Sequence, residues 1–220
     1  MKHKTILFAL AAVSAAMFAL PAGASAGGWH IDPAGVAFTV AGGHTILTAP
    51  PNENVTCTSV SGTGSYDAGS QTTGTIQLTF HGCKASFFAC TSAGQSSGTI
   101  KTTALTFHNI YYGPNKTTPG VLITPNAGHF ATFTCAGFLT AVVGGNGIIG
   151  EVTSPKCGAT SKTSTLNFEA TGGTQKRMQI TETGTKYDLS ASLNGGAAAT
   201  AGQDGTGTIT FAKEATMTCI

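Results

Sequence analysis

Beyond residue 28 the apolar and polar positions alternate with a period of two. "GTIQLTF" (Gly74 to Phe80) sets Ile76, Leu78 and Phe80 against Thr75, Gln77 and Thr79, and "STLNFEA" does the same with Leu166 and Phe168. The closing "GTITFAKEATMTC" repeats the pattern. A period of two is that of a strand with one face buried, and no window shows a sustained 3.6-residue stripe. Thr is the commonest residue and stands in short runs with Val, Ile and Phe, the residues that suit a pleated, half-buried surface. Between these runs Gly, Ser and Asn cluster at 61–74, 92–98, 112–120, 124–129, 144–147 and 193–207, which reads as turns. "AAATAG" (Ala197 to Gly202) reads as loop. The expected fold is all-β, an antiparallel β-sandwich or closed β-barrel.

The first residues obey a different rule. Lys2, His3 and Lys4 precede an apolar run from Ile6 to Leu20, and "PAGASAGG" follows with small residues at Ala24 and Ala26. That is the form of a secretory signal peptide over 1–26. Its apolar run is shorter than the ~18 residues a spanning helix needs. The expected mature chain, 27–220, is a single β domain with no transmembrane segment. Without Lys2 and Lys4 it carries nine basic residues against nine acidic ones, so nothing in its charge steers it to nucleic acid or an anionic membrane.

All six cysteines, Cys57, Cys83, Cys90, Cys135, Cys157 and Cys219, follow the leader. An even number in an exported chain argues for three disulfides. "LTFHGCKASFFAC" (Leu78 to Cys90) therefore reads as part of a staple. A zinc site would need paired Cys-x-x-Cys knuckles, which the chain lacks. A faint internal echo relates "VTCTSVSGTG" (Val55 to Gly64) to "FTCAGFLTAVVGG" (Phe133 to Gly145), as two related β-meanders would produce.

Taken in order, "VTCTSVSGTG", "TTGTIQLTFHGC", "CTSAGQSSGTIKT", "PGVLITPNAGHFATFTCAGF", "IIGEVTSPKCG" and "TLNFEA" resemble a widespread group of small exported actinobacterial proteins of unknown function. The likeness spans nearly the whole mature chain and implies no activity. "PAGVAFTVAG…VTCT" resembles, over a quarter of the chain, secreted proteins described as alkane-oxidation activators. The larger resemblance implies the pairing Cys83–Cys90, Cys57–Cys135 and Cys157–Cys219, because many of its members fill the first four positions and lack the last two. The internal echo gives a rival: Cys57–Cys83, Cys135–Cys157 and Cys90–Cys219.

Candidate chemistry is sparse. "GQSSG" (Gly94 to Gly98) matches the G-x-S-x-G nucleophile elbow at Ser96, but that motif needs a following helix and "TIKTTALTF" reads as strand. His30, His44, His81, His108 and His129 are scattered singly, with no helical metal spacing. His30 sits beside Trp29, where a loose tail or a plug over the sandwich end is expected. His81 and His108 end matching "LTFH" strings, and strand ends in that register would place both imidazoles outward or at a rim, where the two can be neighbours. The acidic residues are well separated, so a glycosidase pair could come only from the fold. "QDGTG" has one calcium-type ligand, and Thr206, Thr208 and Thr210 fit a strand's wet face. Tyr111 and Tyr112 suit one core position and one turn.

The sequence thus predicts a secreted or cell-surface, disulfide-stapled, non-catalytic structural or binding module without cofactor or metal. Cell-envelope material or self-association are the expected contacts. The alternatives are a small β-barrel carrier of an apolar ligand, of the alkane-utilisation accessory type, and a serine hydrolase using Ser96 with His81 or His108.

Overall fold

The computed structural model describes residues 28–49, 53–113, 117–177 and 184–219; the leader expected at 1–26 lies outside them. The described residues form strands and turns with no helix. In chain order the strands are β1 (His30–Asp32), β2 (Ala37–Ala49), β3 (Glu53–Cys57), β4 (Ser59–Tyr66), β5 (Thr73–His81) and β6 (Lys84–Ala85). Then come β7 (Phe88–Thr91), β8 (Ile100–Lys101), β9 (Leu105–Tyr112), β10 (Thr118–Pro125), β11 (Ala131–Cys135) and β12 (Leu139–Gly145). The remainder are β13 (Ile148–Ser154), β14 (Thr160–Phe168), β15 (Ala170–Thr171), β16 (Thr174–Gln175), β17 (Leu189–Leu193) and β18 (Ala199–Thr218).

Two long strands organise the molecule. From β18 the hydrogen-bonded path runs through β14, β13, β10, β9, β5, β4 and β2, every pair antiparallel, and β2 pairs back onto β18. A second path leaves β2 through β3, β6, β7, β11, β12 and β17 and also returns to β18. Closure is uneven, since β3–β6 and β7–β11 hold only two register pairs each. The result combines a barrel-like body with sandwich-like sheets facing one core.

The two paths part where β2 and β18 are poorest in side chains. Gly42 faces Gly207 across a register shift in β18 between Gly205 and Gly207. A Cβ on Gly42 would stand 2.6 Å from the Thr206 carbonyl and 2.7 Å from Val60 Cγ1, so only glycine lets the backbones come this close. That reason corrects two turn assignments. The stretch 61–74 is strand as far as Tyr66, and 193–207 is strand from Ala199, which also overturns the loop at "AAATAG". In β4, a Cβ on Gly64 would lie 2.5 Å from the Phe38 ring; this glycine makes room for an aromatic ring and is not a turn signal.

The internal echo is not structural either. β3 and β4 lie along β2 in one and the same register, with the pairing lapsing at Thr58 between them, whereas Phe133 to Gly145 is the β11–β12 hairpin.

Inward-facing apolar residues fuse into one core. At one end Phe38 meets Tyr66, Phe107 and Phe211 edge-on, with ring centroids 6.1, 5.7 and 6.3 Å away. Trp29 is buried, and its indole N–H donates to the Gly120 carbonyl at 2.9 Å, so the N-terminal segment is a plug held by the β1–β18 pairing.

The disulfides are Cys57–Cys83, Cys90–Cys135 and Cys157–Cys219. The pairing implied by the family resemblance is therefore corrected: Cys157–Cys219 stands, while Cys83–Cys90 and Cys57–Cys135 do not. From the rival map only Cys57–Cys83 stands. The first four cysteines lie in a row across adjacent strands. Cys83 and Cys90 face each other across a backbone hydrogen bond, Cys90 N–H to Cys83 C=O at 2.9 Å. Hydrogen-bonded antiparallel pairs stand wider apart than non-hydrogen-bonded ones. The sulfurs bond outward to the closer neighbours, at Cα separations of 3.9 Å for Cys57–Cys83 and 4.0 Å for Cys90–Cys135.

Candidate functional site: an apolar interior cavity

The structure separates the chemistry suggested by sequence. Ser96 sits exposed in a turn, its hydroxyl 3.1 Å from that of Thr99, and the chain continues into the short strand β8. His81 Nε2 lies 2.9 Å from the Ser61 hydroxyl. The expected closeness of His81 and His108 is overturned: His108 pairs with Thr73 at the opposite end of β5 from His81. Eight residues of strand put roughly 26 Å between them. Burial lowers the pKa of the His108 imidazole, with Asp67 opposing. His44 is exposed, and His30 and His129 are half-buried. Among the described residues no three His, Cys, Asp or Glu side chains gather as a metal site.

One polar cluster went unread in the sequence because its members are far apart along the chain. On the outer face of β9, β10 and β13, Ile110, Leu122 and Ile149 form a second small apolar cluster beneath Tyr112 and Tyr187. Arg177, just after β16, secures it: Nη2 donates to Glu151 Oε2 at 2.5 Å and Nε donates to the Tyr112 hydroxyl at 2.9 Å. The Tyr112 hydroxyl in turn donates to Glu151 at 2.6 Å, and the guanidinium lies 5.7 Å from the Tyr112 ring centroid. Burial and the carboxylate beside it push the Tyr112 phenol up to about 12. Tyr112's hydrogen bond holds the Glu151 carboxyl below its ordinary range, opposed by burial and assisted by Arg177.

A depressed carboxylate pKa gives stability that is present above the unfolded value and lost as pH falls through the folded one. Acidification from about pH 4.5 downward is expected to loosen this cluster. Glu151→Gln should remove that part of the acid sensitivity by giving it up already at neutral pH. Parallel acid titrations of urea stability check this; equal slopes in the two proteins would refute it.

The larger feature is inside. Between the two strand paths lies a cavity of about 130 Å³. Leu78 and Phe80 of β5, Phe133 of β11, Val143 of β12, Leu166 of β14 and Ile209 of β18 are among its walls. Period-two alternation places each of them inward, so the walls follow from the sequence pattern, while the gap between them follows from how the two strand paths part along β2 and β18. The lining holds no carboxylate, imidazole or amine; its polar residues are Thr45, Thr102, Gln203 and Thr206, of which Thr206 turns its side chain outward. Thr102 Oγ1 is engaged with the Leu78 backbone, and Thr206 Oγ1 donates to Asn167 Oδ1. A buried water needs two to four polar partners, and this space offers few. It suits an apolar occupant.

No helix long and apolar enough to cross a membrane occurs among the described residues, which says nothing of crossing by strands. No protein-family model, no curated protein and no solved structure matches this chain.

Proposed function

We propose that the protein is an exported, non-catalytic binding module that holds a small apolar ligand in its interior cavity. The observation that carries this reading is the cavity itself: about 130 Å³, walled by aliphatic and aromatic side chains, with no titratable group in its lining. An engineered cavity of about 150 Å³ with similar walls stays dry and takes up benzene, so an occupant of benzene size fits. Three disulfides and the leader read at 1–26 support work outside the cytoplasm. Among the described residues the Ser96 hydroxyl has the Thr99 hydroxyl for a partner, and His81 meets Ser61 and not Ser96, which favours binding over hydrolysis at Ser96.

The test is thermal unfolding with benzene. A ligand bound only to the native state at ten times its Kd adds about 1.4 kcal/mol. For a domain of this size that is a rise in Tm of about 3–5 °C. Leu78→Trp, which puts an indole into the cavity wall, should abolish the rise. No shift in the wild type, or the same shift in Leu78→Trp, would overturn the proposal.

A further inference from the structure

Three large apolar side chains are exposed among the described residues: Phe87, Phe88 and Phe138, at 93 %, 56 % and 73 %. They belong to one place. β6 and β7 pair Ala85 with Phe88, leaving Ser86, in a left-handed conformation at φ 52°, and Phe87 as the hairpin tip. β11 and β12 pair Cys135 with Leu139, so Phe138 ends the neighbouring tip after Ala136 (φ 55°) and Gly137 (φ 77°). β7 and β11 are themselves paired, Cys90 with Cys135, and Ala136 N–H donates to Ala89 C=O at 3.3 Å. Extending that register by two residues sets the two tips side by side.

The tips are built to stay rigid and uncharged. Cys90–Cys135 ties their stems together two residues behind Phe88 and three behind Phe138, and Cys57–Cys83 anchors the start of the first hairpin. Among the described residues, exposed Lys84 and Glu53 on the paired strands β6 and β3 lie near the first tip with opposite charges. An exposed Phe forgoes about 1.5–3 kcal/mol of burial, and single turns of this kind are ordinarily filled by Gly, Asn, Asp or Ser.

Shape and area decide what covers them. Projecting rings on a convex end leave no hollow for a partner to fill. At 150–250 Å² for a whole aromatic side chain, the three expose roughly 450 Å², about half the 800 Å² per partner of a stable protein pair. A soft apolar phase accepts a convex end without matching its shape. We propose that the two hairpin tips insert Phe87, Phe88 and Phe138 into the interfacial layer of a lipid bilayer, seating the protein on a membrane by apolar contact. This does not depend on the cavity being occupied.

The experiment is co-sedimentation with large phosphatidylcholine vesicles, comparing the wild type with Phe87→Ser/Phe88→Ser/Phe138→Ser. All three residues are exposed, so the variant should keep the wild-type Tm, which serves as the folding control. The expected result is wild-type partitioning that changes less than twofold between about 0.05 and 0.5 M salt, a range over which charge-driven attraction is screened. The triple variant should partition at least tenfold more weakly. In a second measurement, Phe87→Trp should blue-shift its emission on adding vesicles and be quenched by brominated lipid, above the constant signal of buried Trp29. Absence of vesicle binding, binding untouched by the triple substitution, or binding that requires anionic lipid and collapses in salt would each overturn the proposal. So would concentration-dependent dimerisation, lost in the triple variant, in a protein that ignores vesicles, since the occupant would then be a second copy.

Discussion

Phe38→Ala is expected to cost about 4 kcal/mol of folding stability, read as a lowered urea midpoint at unchanged slope. Phe38 is 5 % exposed, touches three other rings edge-on and lies against Gly64. Truncation removes the transfer free energy of a phenyl group, three ring–ring contacts, and the contact that Gly64 exists to allow. Neighbouring strands cannot collapse into the space, because β2 is held on both edges, by β4 and by β18. Against a total stability of ordinarily 5–15 kcal/mol, the variant should lose roughly 8–16 °C in Tm. Phe87→Ala, with the same chemistry at a 93 % exposed site, should change stability by no more than about 0.5 kcal/mol. A Phe38→Ala cost under about 1 kcal/mol would mean that the aromatic cluster is not the core of this end.

The second large effect belongs to the disulfides. Non-reducing digestion should release three linked peptides: Cys57 with Cys83, Cys90 with Cys135, and Cys157 with Cys219. A peptide joining Cys83 to Cys90 would contradict the register of β3, β6, β7 and β11. Cys157–Cys219 offers the cleanest energetic test, because Cys157 is exposed and Cys219 half-buried. Their replacement by Ser therefore opens little cavity. The bond closes a separation of 62 residues, for which the chain-entropy model gives about 4 kcal/mol of stabilisation through the unfolded state. Cys157→Ser/Cys219→Ser should lose that amount in urea unfolding without reductant. Substituting Cys90 and Cys135 should cost about as much in chain entropy and more in packing, because Cys90 is fully buried and Cys135 nearly so.

Much of the fold was legible in the sequence. Ile76 and Leu166 point inward as their alternation requires, Thr206, Thr208 and Thr210 face solvent, and six cysteines form three bonds. Those are local matters: a period of two, a wet face, an even count. The misread stretches share one cause. Glycine marks a turn when it stands alone on the chain and a close approach when another strand lies across it, and only the second strand tells them apart. Gly64 and Gly207 carry the signature of turn residues in the sequence for that reason.

The candidate site was legible only as its parts. Alternation identified the apolar walls; it said nothing of the space between them, which depends on β2 and β18 each serving two strand paths that part at Gly42 and Gly207. The cluster of Arg177, Tyr112 and Glu151 joins residues up to 65 apart in sequence, and Phe88 and Phe138 become neighbours only through the β7–β11 pairing. The sequence by itself determined strand type, burial and disulfide count, because each depends on a residue and its near neighbours. Register decided the rest. Which sulfur lies close enough to bond, which glycine is crowded and which rings share an exposed end are set by distances across strands, and those exist only once the chain has closed on itself.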